Sequence, residues 1–140
     1  MIADWASWIR ERGDDARRMA DVLALLAPRL GKGSLRPGKD FVRLSVNDAR
    51  DIPTIENGSG REVPILYASL GIRRITALAY MLSWAWREHV IAARHLGEAP
   101  TARVVMLFDE LEAHLHPRWQ RAIVPALLKA MTFLPCARSR

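Results

Sequence analysis

Two adjacent carboxylates, Asp109 and Glu110, close an apolar run, Val105-Met106-Leu107-Phe108. Such a run sets both acids at the C-terminal edge of a buried strand, the edge where open α/β sheets bind their ligands. Phosphoryl transfer to water needs one carboxylate to hold Mg²⁺, usually through its water shell, and another to orient or deprotonate the attacking water. Neighbouring residues at a strand end point differently, so the pair can divide those jobs: Asp109 for the metal, Glu110 for the water. An acidic pair can equally do no more than end a strand, because short motifs recur by chance. Upstream, Ser69 can cap a helix whose free N–H groups and positive dipole end attract an anion. Gly71 lets a phosphate come close to the backbone. Taken alone, an ordinary helix start explains both residues.

Elements that position these groups are readable from the apolar pattern. Ala16, Met19, Ala20, Leu23, Leu26, Ala27 and Leu30 fall at helical spacing over Asp15 to Leu30, with Asp14 or Asp15 for an N-cap and Gly31 as the stop. Gly31 to Asp40 reads as a loop. Phe41 to Val46 alternates, with Val42, Leu44 and Val46 on one face of an expected strand. Asp51–Ile55 and Glu62–Leu66 flank Asn57-Gly58-Ser59-Gly60, where glycines favour a tight reversal, so a hairpin is expected. A long helix should run from about Gly71 to His95 with Ile72, Ile75, Ala79, Leu82, Trp86 and Val90 as its stripe. Gly97-Glu98-Ala99-Pro100 breaks it. Arg103 to Phe108 suits a strand buried on both faces of a parallel sheet. A last helix from Pro117 or Arg118 puts Trp119, Ile123, Leu127 and Ala130 on one side. The tail, Pro135 to Arg140, shows no periodicity.

Composition narrows the class. The chain has 140 residues, 50% hydrophobic and 26% charged, a globular balance that excludes a disordered or collagen-like protein. Its net charge of +6 is spread among acids, as in Arg10-Glu11-Arg12-Gly13-Asp14-Asp15-Ala16-Arg17-Arg18, which reads as a solvated helix face rather than a phosphate-tracking stripe. Cys136 stands alone, so no internal disulfide forms, which fits a reducing cytoplasm. Ile75 to Trp86, the longest uncharged apolar stretch, has 12 residues. A bilayer span needs about 20. Met1-Ile2-Ala3-Asp4 does not start a secretory signal, so a cytoplasmic protein without membrane contact is expected.

Asp109-Glu110-Leu111-Glu112-Ala113-His114-Leu115-His116-Pro117 resembles the Walker B and D-loop segment of ABC-type ATPase heads. It is most similar to the SMC-like, RecF-like and OLD-like branch, often described as AAA-type ATP-binding proteins. There an acid pair is commonly followed by His-Leu-His-Pro, and His116 falls where transporter-type members carry the D-loop aspartate. Ala68-Ser69-Leu70-Gly71-Ile72-Arg73-Arg74-Ile75 is similar to the signature motif of that family, usually Leu-Ser-Gly-Gly-Gln. Ser69 and the second glycine, Gly71, are kept; Leu70 and Ile72 depart. The gap of 109 − 69 = 40 residues is wider than in transporter heads, and the long Trp-rich helix accounts for it.

This resemblance covers roughly Phe41 to Ala130. It implies an α/β P-loop NTPase of ABC type with a parallel sheet core, a signature helix and a Walker B strand, using ATP and Mg²⁺. Ser69 and Gly71 would touch the γ-phosphate of ATP bound on a partner subunit. Asp109, through water on Mg²⁺, and the catalytic Glu110 and His116 would act on nucleotide in their own head. The implied partner is a second copy of the chain, or a P-loop-bearing lobe that completes the ATP sandwich. Such heads often act on DNA, although nothing in this sequence reads bases.

One part of that machinery is missing. No GxxxxGK(S/T) loop occurs; Gly31-Lys32-Gly33-Ser34 lacks the earlier glycine, and its lysine is followed by Gly33. No glutamine-bearing loop is identifiable before the signature, and no histidine follows His116. The expectation is therefore a partial ATPase domain over 1–140, a fragment inactive by itself. It would comprise a helical lead-in and loop (1–40), a signature-helix and Walker B lobe (41–134) and a tail (135–140). Two alternatives stand beside it. His114-x-His116 resembles amidohydrolase-type sites, in which Zn²⁺ would recruit ligands from Asp109, Glu112, His114 and His116 for hydrolysis. The five tryptophans (Trp5, Trp8, Trp84, Trp86 and Trp119) instead suit a non-catalytic dimerisation or interaction module, or a core.

Overall fold

A computed structural model describes residues 1–27, 34–58, 60–111, 113 and 115–136. Two helices open the chain. α1 (Ile2–Glu11) buries Trp5 and Trp8, one turn apart. It ends at Arg12, whose left-handed φ of 49° is the usual conformation at a helix C-terminus. In α2 (Asp14–Leu26) the cap is Gly13, and Asp14 and Asp15 lie in the first turn, where negative charge meets the positive end of the helix dipole. Met19, Val22, Leu23 and Leu26 are buried, the i, i+3, i+4, i+7 face that the periodicity demands. The helix stops at Ala27; the expected continuation to Leu30 and the stop at Gly31 lie outside the described residues.

β1 (Arg36–Val42), β2 (Ile52–Asn57) and β3 (Arg61–Pro64) form one sheet in the order β1-β2-β3, antiparallel throughout. The hairpin expected around 57–60 is present as β2 and β3. β1, however, begins five residues before the expected strand, inside what reads as a loop, and Val46 is fully exposed beyond its end. Its register explains why. Pro37 faces Ile55 while Phe41 faces Pro53, so the strand bulges between them and frees backbone donors. The Glu62 carboxylate takes those donors: it accepts from the N–H of Lys39 at 3.2 Å and of Asp40 at 3.3 Å. Thr54 donates its hydroxyl to the same carboxylate at 2.5 Å. A side chain from two strands away thus stabilises the bulge, a relation no local pattern carries.

After a 3₁₀ turn at Ile65–Tyr67 comes α3 (Leu70–His95), 26 residues long. Ile75, Ala79, Leu82 and Trp86 of its expected stripe are buried, and Ile72 and Val90 pack partly against the core. α4 (Pro117–Cys136) buries Trp119, Ile123, Leu127 and Ala130 as expected, but it also takes in Pro135 and Cys136, which the sequence assigns to the tail. α2 packs against both α3 and α4. Trp5, Trp8, Trp86 and Trp119 belong to one core cluster with Ile52 and Ile55 of β2, while Trp84 is 45% exposed. Polar ties cross the same contacts. Trp8 stacks on Tyr80 with ring centroids 5.2 Å apart, and the Tyr80 hydroxyl donates to Asp4 at 2.8 Å. Arg87 of α3 donates to Asp15 of α2 at 3.0 Å. Among the described residues no helix is long and apolar enough to cross a membrane.

The expected parallel sheet core does not form among the described residues. Arg103 to Phe108 is extended but unpaired, with Val105 90% and Leu107 95% exposed; only Met106 turns partly toward the core. A hairpin strand receives its partner from the next few residues, whereas a parallel strand draws its partners from distant chain through crossovers. β1, β2 and β3 pair with each other and none of them reaches this segment.

Two stability measurements test this account. A Cβ on Gly38 would run into the Thr54 hydroxyl and the Glu62 carboxylate, so Gly38→Ala should lose about 1–3 kcal/mol in urea unfolding, the usual cost of overpacking. Hydrogen bonds from Thr54 and from the backbone of Lys39 hold the Glu62 carboxyl below the usual glutamate range. Its folded pKa is thus lower than its unfolded one, so the contribution is fully present above the unfolded value and is lost as pH falls through the folded value. Melting temperature followed from pH 7 down to pH 3 should drop, and Glu62→Gln should remove that part of the drop.

Candidate functional site

Ser69 is the N-cap of α3: its Oγ accepts the N–H of Ile72 at 3.4 Å, and its carbonyl begins the helix by accepting from Arg73 at 2.9 Å. Ser69 itself is exposed. No acid occupies the first turn, and Arg73 and Arg74 follow immediately, so dipole and side-chain charge are both positive at this end. Gly71, in the first turn, is half-buried.

Asp109 and Glu110 are both exposed, and neither carboxylate is tied up in an ion pair among the described residues. Glu110 has a φ of 48°, the left-handed region, which costs a residue with a Cβ on the order of 1 kcal/mol. Its carbonyl accepts the N–H of Ala113 at 3.0 Å, closing a tight turn, and also accepts from the guanidinium of Arg74 on α3. Leu111 packs against the core and Leu115 is buried, so apolar anchors seat the turn that presents the acids.

His116 sits at the start of α4. Its carbonyl accepts from Trp119 at 2.7 Å and Gln120 at 3.1 Å, and its Nδ1 accepts the N–H of Arg118 at 3.3 Å. The ring therefore caps the helix through Nδ1. No hydrogen bond joins it to Asp109 or Glu110 among the described residues. The zinc alternative finds no support: no group of three His, Cys, Asp or Glu side chains is gathered among the described residues, and Glu112 and His114 lie outside them.

The structure therefore brings the turn at Glu110 against the first turns of α3, while Ser69, Gly71 and His116 each lie at a helix start. Arg74 is the residue that sequence reasoning passes over. It sits within the signature-like segment, but which backbone atom it reaches, 36 residues downstream, depends on how α3 is rotated in the core. An apolar cavity of about 200 Å³, lined by Leu82, Trp86, His89, Met106, Met131 and Leu134 among others, contains none of these groups.

Residues 7–138 match the family described as "AAA domain, putative AbiEii toxin, Type IV TA system", and the chain belongs to that family of AAA-type, P-loop NTPase-related α/β domains. It is also similar to the "Retron Vc95 probable ATPase" of Vibrio cholerae serotype O1 biovar El Tor, 34% identical over 88 residues. That match takes in 63% of this chain and 16% of the relative's length, so the chain spans a small part of that protein. No solved structure matches the chain significantly.

Capping can be separated from ligand contact at Ser69. Ser69→Ala should cost about 1 kcal/mol of stability, and Ser69→Asp or Ser69→Thr should keep the cap and most of the stability, read by thermal unfolding.

Proposed function

We propose that this chain is the signature- and Walker B-bearing part of an ABC-type ATPase head that binds and hydrolyses ATP. The observation that carries the reading is the join between its two motifs: Arg74, in the signature-like helix, bonds the backbone of Glu110 in the acid pair. Two motifs in family order, 40 residues apart by 109 − 69, meet at one turn.

The residues fit Mg²⁺ by donor chemistry, because Asp109 and Glu110 offer only oxygen and their carboxylates are exposed and in no ion pair among the described residues. The chemistry Mg²⁺ supplies when bound is charge neutralisation on the transferring phosphoryl group. Asp109 would hold it through water. Glu110 orients the attacking water and accepts its proton. Ser69, Gly71 and the uncapped N–H groups of α3 take the γ-phosphate of ATP held mainly by a partner, and His116 lies at the D-loop position between the two heads.

The P-loop comes from another segment or subunit, a P-loop-bearing lobe or a second head, since the 140 residues contain no GxxxxGK(S/T). That segment docks along Arg103 to Phe108, which has no strand partner among the described residues and whose exposed Val105 and Leu107 suit an inner sheet strand awaiting neighbours. By itself the chain is inactive.

The test is ATP hydrolysis by the chain alone, and then mixed with the P-loop-bearing polypeptide that completes the head. Turnover should appear only in the mixture. Glu110→Gln should lower it by about 100-fold or more with ATP still bound, as for loss of a general base. Asp109→Asn should lower both turnover and Mg²⁺ dependence. Hydrolysis by the isolated chain, or a mixture indifferent to Glu110→Gln, would sink the reading.

A further inference from the structure

Only two non-glycine residues among those described have positive φ, Arg12 and Glu110. Arg12 ends a helix, where that conformation is common. Glu110 ends no helix, and such a conformation persists only where surrounding contacts over-determine it. Two donors do so here, and both converge on the Glu110 carbonyl. One is local, the Ala113 N–H at 3.0 Å; the other is the Arg74 guanidinium, from a separate element.

We infer that Arg74 is a positioning residue for Glu110, holding its backbone in the left-handed turn that aims its carboxylate and linking that aim to the N-terminus of α3. The inference deepens the proposed function and rests on it for the role of Glu110. Arg74 follows Ser69 by 74 − 69 = 5 residues and Gly71 by 74 − 71 = 3, all on the first two turns of α3. Those turns are stiff because Ile75 and Thr76, directly after Arg74, are buried. A shift of the helix end that follows phosphate contact at Ser69 and Gly71 therefore reaches the Glu110 carbonyl through one side chain. Arg73, its neighbour, is exposed and makes no such bond among the described residues. A lysine at this position could donate one hydrogen bond to the same carbonyl but lacks the planar fork that fixes its direction.

The experiment has two readouts. In the chain by itself, hydrogen exchange of the Ala113 amide reports the turn. Arg74→Ala should speed that exchange roughly tenfold, Arg74→Lys by less, and Arg73→Ala not at all, in line with the loss of one hydrogen bond. In the completed head, Arg74→Ala should lower kcat by about 10–100-fold with KM for ATP unchanged, the loss expected when a reacting group is misaimed. Arg74→Lys should restore part of kcat. Unchanged Ala113 exchange together with wild-type kcat overturns the inference. So does a fall in kcat matched by a rise in KM and a lower melting temperature, which would make Arg74 merely structural. A wild-type head without ATPase activity overturns the proposed function and the coupling built on it, and accelerated exchange in Arg74→Ala would still establish the tether.

Discussion

Ile75, Ala79, Leu82 and Trp86 lie along one side of α3 and are nearly free of water, and the placement of the other elements follows from covering them. α2 presents Met19, Val22, Leu23 and Leu26 to that region, and α4 closes against α2 with Trp119, Ile123 and Leu127. Close-packed interiors allow few rotations of a helix once its stripe is buried. The rotation of α3 then decides where its exposed and half-exposed residues point. Arg74 is turned to the 109–113 turn, Tyr80 to Asp4, and Arg87 to Asp15. A helix held on its apolar side thus acts as a ruler along its polar side.

The contrast between the hairpin and the 103–108 segment has the same root. β2 and β3 pair across a turn of a few residues, and β1 pairs with β2 while Glu62 takes the donors its bulge frees, so the chain satisfies those backbone groups among these three strands. Arg103 to Phe108 has the composition of an inner strand, but its backbone partners are not among these three strands. Burying Val105 and Leu107 needs sheet neighbours on both edges and layers on both faces. Val105 and Leu107 stay exposed instead, and the acid pair follows them at the end of this extended segment.

Charge at the site is arranged in a way that the total of +6 hides. Arg73 and Arg74 stand at the start of α3 beside the positive end of its dipole, and the acid pair lies a hydrogen bond away with no ion pair to neutralise it among the described residues. Some acids elsewhere are held in ion pairs, as Asp15 is with Arg18 and Arg87, and Asp51 with Arg10 and Arg43.

By itself the sequence determined whatever depends on neighbours within a turn or two. Helical periodicity located α2, α3 and α4, the glycines at 57–60 located the hairpin, and Ser69 was legible as a cap. Tertiary structure decided what depends on distant partners. It placed β1 in a stretch that reads as loop, because Glu62 supplies the hydrogen bonds that a bulge lacks. It gave an antiparallel sheet and left 103–108 unpaired, because strand pairing is a property of two segments and composition describes only one. It also joined Arg74 to Glu110, because the reach of a side chain is set by how its helix is packed, and packing is shared among all the elements at once.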